Sequence, residues 1–265
     1  MQLRVGYPDK WRDYGALAID RGPYALNVMR ANEFEFDRQL AKIGKPVDRG
    51  EWYMTPQTVN AYYDPSMNSL NIPAGILQPP YFDASWPAAV NYGATGATIG
   101  HEMTHGFDDE GAQFDGYGNL KDWWAPADLE KFRAATRCIS EQYSRLTVAG
   151  GLHVQGDLVT GEATADLGGL VLAWRAFSEG RAAGGGQADP WIDGFSPGQQ
   201  FFIAFAHSWA GAIRPQRAEE MVTTDPHPPA EDRANATLAN SPEFQKAFAI
   251  RGPSPMVKKD RCVIW

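Results

Sequence analysis

The pentapeptide His101-Glu102-Met103-Thr104-His105 limits the fold more than any other stretch of this sequence. On a helix, positions i and i+4 share one face. Two imidazoles so placed can bind one metal ion at about 2.0–2.1 Å. Glu102 then lies beside the metal, where it can take a proton from metal-bound water and deliver it to a leaving amine. The competing reading is a chance match on a surface helix.

A third ligand is required. Residues 161–178 read as an apolar helix that carries Glu162 and Asp166, again i and i+4 apart. An unpaired carboxylate among ATADLGGLVLAW would be costly. Glu162 suits the third ligand position. Asp166 suits the second N–H of a ligand histidine, fixing its tautomer. Two His and one Glu leave a fourth position open for water, the catalytic rather than the structural pattern. Gly168-Gly169 permits close helix packing. The alternative is that both carboxylates lie on an exposed helix face.

Composition narrows the class. The 265 residues can bury a sizeable core. The balance of 24 basic against 32 acidic residues, a net charge of −8, argues against nucleic-acid binding by phosphate neutralisation. There is no long apolar run to span a membrane. MQLRVGYPDKWRDYG lacks the apolar region of a signal peptide. Two cysteines, Cys138 and Cys262, exclude a cysteine-rich zinc framework.

The pattern is helix-rich with a small early sheet. Strands are expected at 2–6, 56–63 and 69–72, with a turn at 64–68, irregular chain at 73–87 and a hairpin around 115–118. Helices are expected at 23–43, 91–107, 126–147, 161–178, 197–212 and 242–249. Apolar residues spread around 23–43 suggest burial against something. Arg181–Gln187 reads as a flexible surface loop, since no Gly-Lys-Ser/Thr follows it.

Several features are decoys. Gly194-Phe195-Ser196-Pro197-Gly198 matches a nucleophile elbow, but Pro197 has no N–H for an oxyanion hole. Ser196 with Gln199 reads as a capping box. Asp108-Asp109-Glu110 with Asp115 fails the EF-hand spacing. His153 and His207 are ligands in principle, but His207, within FFIAFAHSWA, reads as a core or helix-face residue. Asn235-Ala236-Thr237 is a formal glycosylation sequon. The last four residues formally fit a prenylation signal, with an atypical final Trp265.

Six segments together resemble the neprilysin family of zinc metallopeptidases. They are Val59-Asn60-Ala61-Tyr62-Tyr63, Pro73 to Pro80 (PAGILQPP), Ile99 to Asp109 (IGHEMTHGFDD), Gly161 to Gly169 (GEATADLGG), Asp225-Pro226-His227 and the terminal Cys262 to Trp265. The likeness runs over nearly the whole chain. It implies an α+β, helix-rich fold of the thermolysin-like zincin (gluzincin) type, as one catalytic domain over 1–265, with one zinc per chain. His101, His105 and Glu162 would bind the metal. Glu102 would be general base and then acid, Asp166 would orient a ligand histidine, and His227 would donate to the oxyanion. From the residues alone, His227 reads as a loop histidine in a proline-rich stretch. Arg233 would hold a substrate carbonyl. Asn60 and the Ala61 backbone would bind the peptide beyond the cut, and Ile76, Thr98 and Trp209 would line the pocket for the next residue.

The likeness also implies a Cys138–Cys262 disulfide, hence an oxidising, extracytoplasmic or secreted setting; the alternative is two buried free thiols, with a cytoplasmic setting left open by the lack of a signal peptide. Departures are Ala163-Thr164 and Leu167 within the glutamate motif, and Tyr62 and Tyr81 where Phe is frequent. None removes a ligand. The upstream helical cap usual in the family is not in this sequence, so a longer parent or a partner chain completing the cleft is expected. The expected activity is cleavage of short peptides before a hydrophobic residue; the alternative is a subunit inactive until its partner binds.

Overall fold

The computed structural model describes residues 1–148, 150–183 and 190–264. Its centre is a long helix, α5 (Thr160–Ala183). Ala163, Ala165, Leu167, Leu170, Ala173 and Phe177 of α5 are all buried, so this helix is covered on several sides. That follows from the run Ala163–Trp174, in which Asp166 is the one charged residue, where surface helices show a single apolar stripe. Its backbone runs on through 181–183, where a loop is expected from the sequence; 184–187 lie outside the described residues.

Three elements enclose α5. On one side α6 (Pro197–Ser208) sets Phe201, Phe202 and Phe205 against Leu170, Ala173 and Phe177. It starts with the expected capping box, Ser196 and Gln199 satisfying each other's backbone N–H, and Pro197 in the first turn. It ends at Ser208, short of 212. On the other side α4 (Pro126–Tyr143) brings Ile139 and Tyr143 to Ala163 and Leu167. Across the third runs a continuous helical stretch: α2 (Ala88–Asn91), a π-helical turn (Tyr92–Gly96), α3 (Ala97–Thr104) and a 3-10 turn (His105–Phe107).

The sheet has the order β1 (Gln2–Gly6), β3 (Ser69–Pro73), β2 (Tyr62–Asp64). β1 is parallel to β3, pairing Leu3 with Leu70, and β2 is antiparallel, pairing Tyr63 with Leu70. Central β3 is buried throughout. The strand expected over 56–63 is reduced to 62–64. Its first part is a turn: Thr58 N–H donates to Thr55 O, and Pro56 O accepts from Gly75 N–H at 2.7 Å. Those groups are therefore unavailable for a ladder.

α1 (Tyr24–Leu40) has no buried residue within this chain. Two helices not expected from the sequence complete the fold: α7 (Pro215–Thr224) and α8 (Ala230–Ala239). The short α9 (Pro242–Ala247) is capped by Ser241. The hairpin at 115–118 is a single bridge, Phe114 to Leu120. Cys138 on α4 is disulfide-bonded to Cys262. No helix among the described residues is long and apolar enough to cross a membrane.

Candidate metal centre and cleft

The site depends on how closely α3 and α5 cross. A Cβ on Gly169 would lie 2.6 Å from both Ala97 O and His101 N, and one on Gly100 would lie 2.8 Å from Gly169 O. Only hydrogen fits at either position. The pair of histidines one turn apart on α3 thus faces the pair of carboxylates one turn apart on α5.

The imidazole Nε2 atoms of His101 and His105 are 2.9 Å apart. Glu162 reaches both, with Oε2 3.4 Å from His101 Nε2 and Oε1 3.5 Å from His105 Nε2. The other ring nitrogens face carboxylates. His105 Nδ1 is 2.6 Å from Asp108 Oδ2, and His101 Nδ1 is 2.9 Å from Asp166 Oδ1. The second contact is close but poorly aligned for a linear hydrogen bond. An ionised carboxylate only accepts, so each Nδ1 is the N–H, and the neutral ring presents its lone pair at Nε2. Two lone pairs and a carboxylate converging with no donor between them describe a cation site. A tetrahedron of ligands about 2.0–2.1 Å from its centre has edges of roughly 3.3 Å, which these separations bracket. The N,N,O donor set fits zinc.

Glu102 sits beside this group and is 5% exposed. His101, Glu102 and His105 have donor atoms within 4.8 Å of one another. Glu162, touching both Nε2 atoms, is the better third ligand. Burial pushes the Glu102 carboxyl up, partly opposed by the neighbouring imidazoles, as suits a proton acceptor at neutral pH. Burial would also raise Glu162, but His227, His101 and Arg233 outweigh it and hold that carboxyl far below its usual range. For His105, burial opposes charge, yet the Asp108 hydrogen bond and the surrounding carboxylates lift it to about 9.

Arg233 on α8 is 7% exposed. Its Nε and Nη2 donate to the two Asp166 oxygens at 2.8 and 2.7 Å, and Nη2 also reaches Glu162 Oε2 at 3.0 Å. Its guanidinium carbon lies 3.9 Å from the Trp209 ring centroid. Two carboxylates therefore already hold this arginine, and Nη1 is the nitrogen they do not engage. His227 stands just before α8. Its Nδ1 is 2.7 Å from Asp225 Oδ1, and its Nε2 is 3.2 Å from Glu162 Oε1.

These groups open onto a cleft of about 410 Å³, and every site residue named from the sequence lines it: Asn60, Ala61, Ile76, Thr98 and Trp209 as well as the metal-side groups. Asn60 and Ala61 lead into β2, the sheet's edge. Asn60 Oδ1 accepts the Ala61 N–H at 2.9 Å. Sequence reasoning missed Asp108. Its Oδ2 holds His105 while its Oδ1 accepts the N–H groups of Glu110 and Gly111. The available signal was an Asp three residues after a ligand histidine.

Residues 60–264 match the sequence signature of peptidase family M13. The chain belongs to that family. Among M13 relatives, Neprilysin-1 of Caenorhabditis elegans is 40% identical over 276 residues, covering 100% of this chain and 37% of the relative. Human endothelin-converting enzyme 1 is 39% identical, covering 98% of this chain and 35% of the relative. The crystal structure of the Mycobacterium tuberculosis zinc metalloprotease Zmp1 in complex with inhibitor superimposes with a TM-score of 0.93 at 45% identity, over 100% of this chain and 41% of that one. This chain thus spans little more than a third of the curated relatives' length. M13 peptidases use zinc, in keeping with the donor set described here.

Proposed function

We propose that residues 1–265 form one catalytic domain that hydrolyses bonds in short peptides, on the amino side of hydrophobic residues. The observation that carries this reading is the convergence of His101, His105 and Glu162 beside the buried Glu102 in a cleft bordered by an edge strand. Held by those three residues, zinc would supply Lewis-acid polarisation of the scissile carbonyl and a more acidic water. Glu102 accepts the proton of the attacking water and returns it to the leaving nitrogen. Asp166 and Asp108 fix the histidine tautomers. His227, its Nδ1 engaged by Asp225, donates from Nε2 to the oxygen that gains charge. Asn60 and the Ala61 backbone bind the peptide as an added strand beyond the cut. Arg233 reaches the substrate carbonyl through Nη1, its other nitrogens bracing Asp166 and Glu162. Ile76, Thr98 and Trp209 receive the hydrophobic residue.

The test is cleavage of a quenched fluorescent peptide library, with chelator and with Glu102→Gln. The expected result is cleavage before hydrophobic residues that chelator abolishes and Glu102→Gln lowers by about a thousandfold or more. Cleavage that survives both changes contradicts the reading. A second reading, that a partner chain must complete the cleft, is supported by the exposed apolar residues of α1, among them Tyr24, Met29 and Phe36. A mass in size-exclusion chromatography well above 29.2 kDa would favour it. The Cys138–Cys262 bond supports an extracytoplasmic setting.

A further inference from the structure

Glu110 is a carboxylate of the cleft that the mechanism does not use. Five acidic residues line the cleft, Glu102, Asp108, Glu110, Glu162 and Asp166, against one guanidinium, Arg233. Four of the five are committed: Asp108 to His105, Asp166 and Glu162 to Arg233 and the histidines, Glu102 to its buried place beside them. Glu110 is exposed, and no ion pair of its side chain is found among the described residues. Its backbone is fixed, with its N–H on Asp108 Oδ1 at 2.9 Å and its carbonyl accepting from Gln113 N–H. The carboxylate is therefore tethered to a fixed point of the rim.

That place is at one end of the cleft. β2 packs against α3 and against the 3-10 turn that follows it. Ile99, early in α3, packs on the cluster that holds Ala61, and the Tyr63 hydroxyl lies beside Gly106 in the 3-10 turn, so β2 runs from α3 toward the turn that Asp108 and Glu110 follow. A peptide lying antiparallel to β2, with its main chain beyond the cut at Asn60 and Ala61, presents its earlier residues to Glu110. We propose that Glu110 selects peptides with a basic residue, lysine or arginine, on the amino side of the bond that is cut. This rests on the peptidase reading above and adds the charge of the substrate to it.

The test uses matched quenched peptides with Lys, Ala or Glu at the first, second or third residue before the cut, assayed at low and high salt. At one of those positions the ratio of kcat/KM for the Lys peptide over the Glu peptide is expected to be roughly tenfold at low salt, and to shrink with added salt. Glu110→Gln brings the ratio to within about twofold of unity and Glu110→Lys inverts it. Glu141→Gln, an exposed carboxylate on α4, leaves it unchanged. A ratio that is the same in wild type and Glu110→Gln overturns the inference while leaving the peptidase reading intact. Where no peptide is cut, the peptidase reading fails first. The ratio is then taken from the affinities of the same peptides for the zinc-loaded chain by fluorescence anisotropy, and the absence of a Glu110-dependent preference there overturns the inference.

Discussion

Helices α1 and α5 are both rich in apolar and charged residues, yet the fold treats them oppositely. In α5 the two carboxylates at the site, Glu162 and Asp166, are withdrawn from water and partnered, Asp166 being 1% exposed and gripped by Arg233, while Arg175 and Glu179 further along are exposed. In α1 no residue is buried, Phe36 is 63% exposed, and the charges form a surface network in which Arg38 bridges Glu35 and Glu51 at 2.6 Å. The difference teaches what a carboxylate in an apolar stretch means. Where its surroundings exclude water, it persists only with a cation, a hydrogen-bond donor or a metal. Where they do not, it is a solvated face and says little about function.

The strongest way to break this contrast is Asp166→Asn. It leaves Arg233 buried beside one neutral partner, and the metal-free chain is expected to lose about 3–5 kcal/mol of stability in urea denaturation. A loss below 1 kcal/mol would mean that the buried pair matters no more than the α1 network. Next comes Gly169→Ala. Its Cβ would meet Ala97 O and His101 N at 2.6 Å, so α3 must shift. A cost of about 1–3 kcal/mol is expected, with weaker zinc affinity because His101 moves with the backbone.

α1 should yield smaller effects. Hydrogen bonds from Arg38 hold the Glu35 carboxyl down at about 2, against an ordinary value of 4.5, with burial opposing. A depressed carboxylate contributes its full stabilisation above its unfolded pKa, and this is lost as the pH falls through its folded one. Glu35→Gln should therefore lower stability at pH 7, with the effect shrinking below about pH 4.5 and vanishing only well below pH 2. The side chain is 37% exposed, so solvent screening keeps the difference under about 1 kcal/mol. Last, Phe36→Ser should change stability by no more than about 0.5 kcal/mol. A larger loss would show α1 buried against another surface in solution.

The same contrast governs what the sequence reveals. His101, Glu102, His105, Glu162 and Asp166 are legible because fixed helical spacing and an apolar setting leave those residue types few other uses. Asn60, His227 and Arg233 carry no such spacing, and only the resemblance to a known family selects them. The sequence around α8 misleads for a physical reason. Pro226, Pro228 and Pro229 read as loop, but Pro229 precedes the first turn, where Glu231 and Asp232 favour a helix start. The 56–63 strand fails because apolar alternation does not report that Pro56 and Thr58 are tied into a turn against Gly75.

The central claim is that α3 and α5 together hold one zinc ion. It is tested most directly by measuring the zinc bound per chain after dialysis, in the wild-type chain and in Glu162→Ala. The expected result is one zinc per wild-type chain and an affinity at least tenfold weaker in Glu162→Ala. Equal zinc content and affinity in both, or none in the wild type, would contradict it.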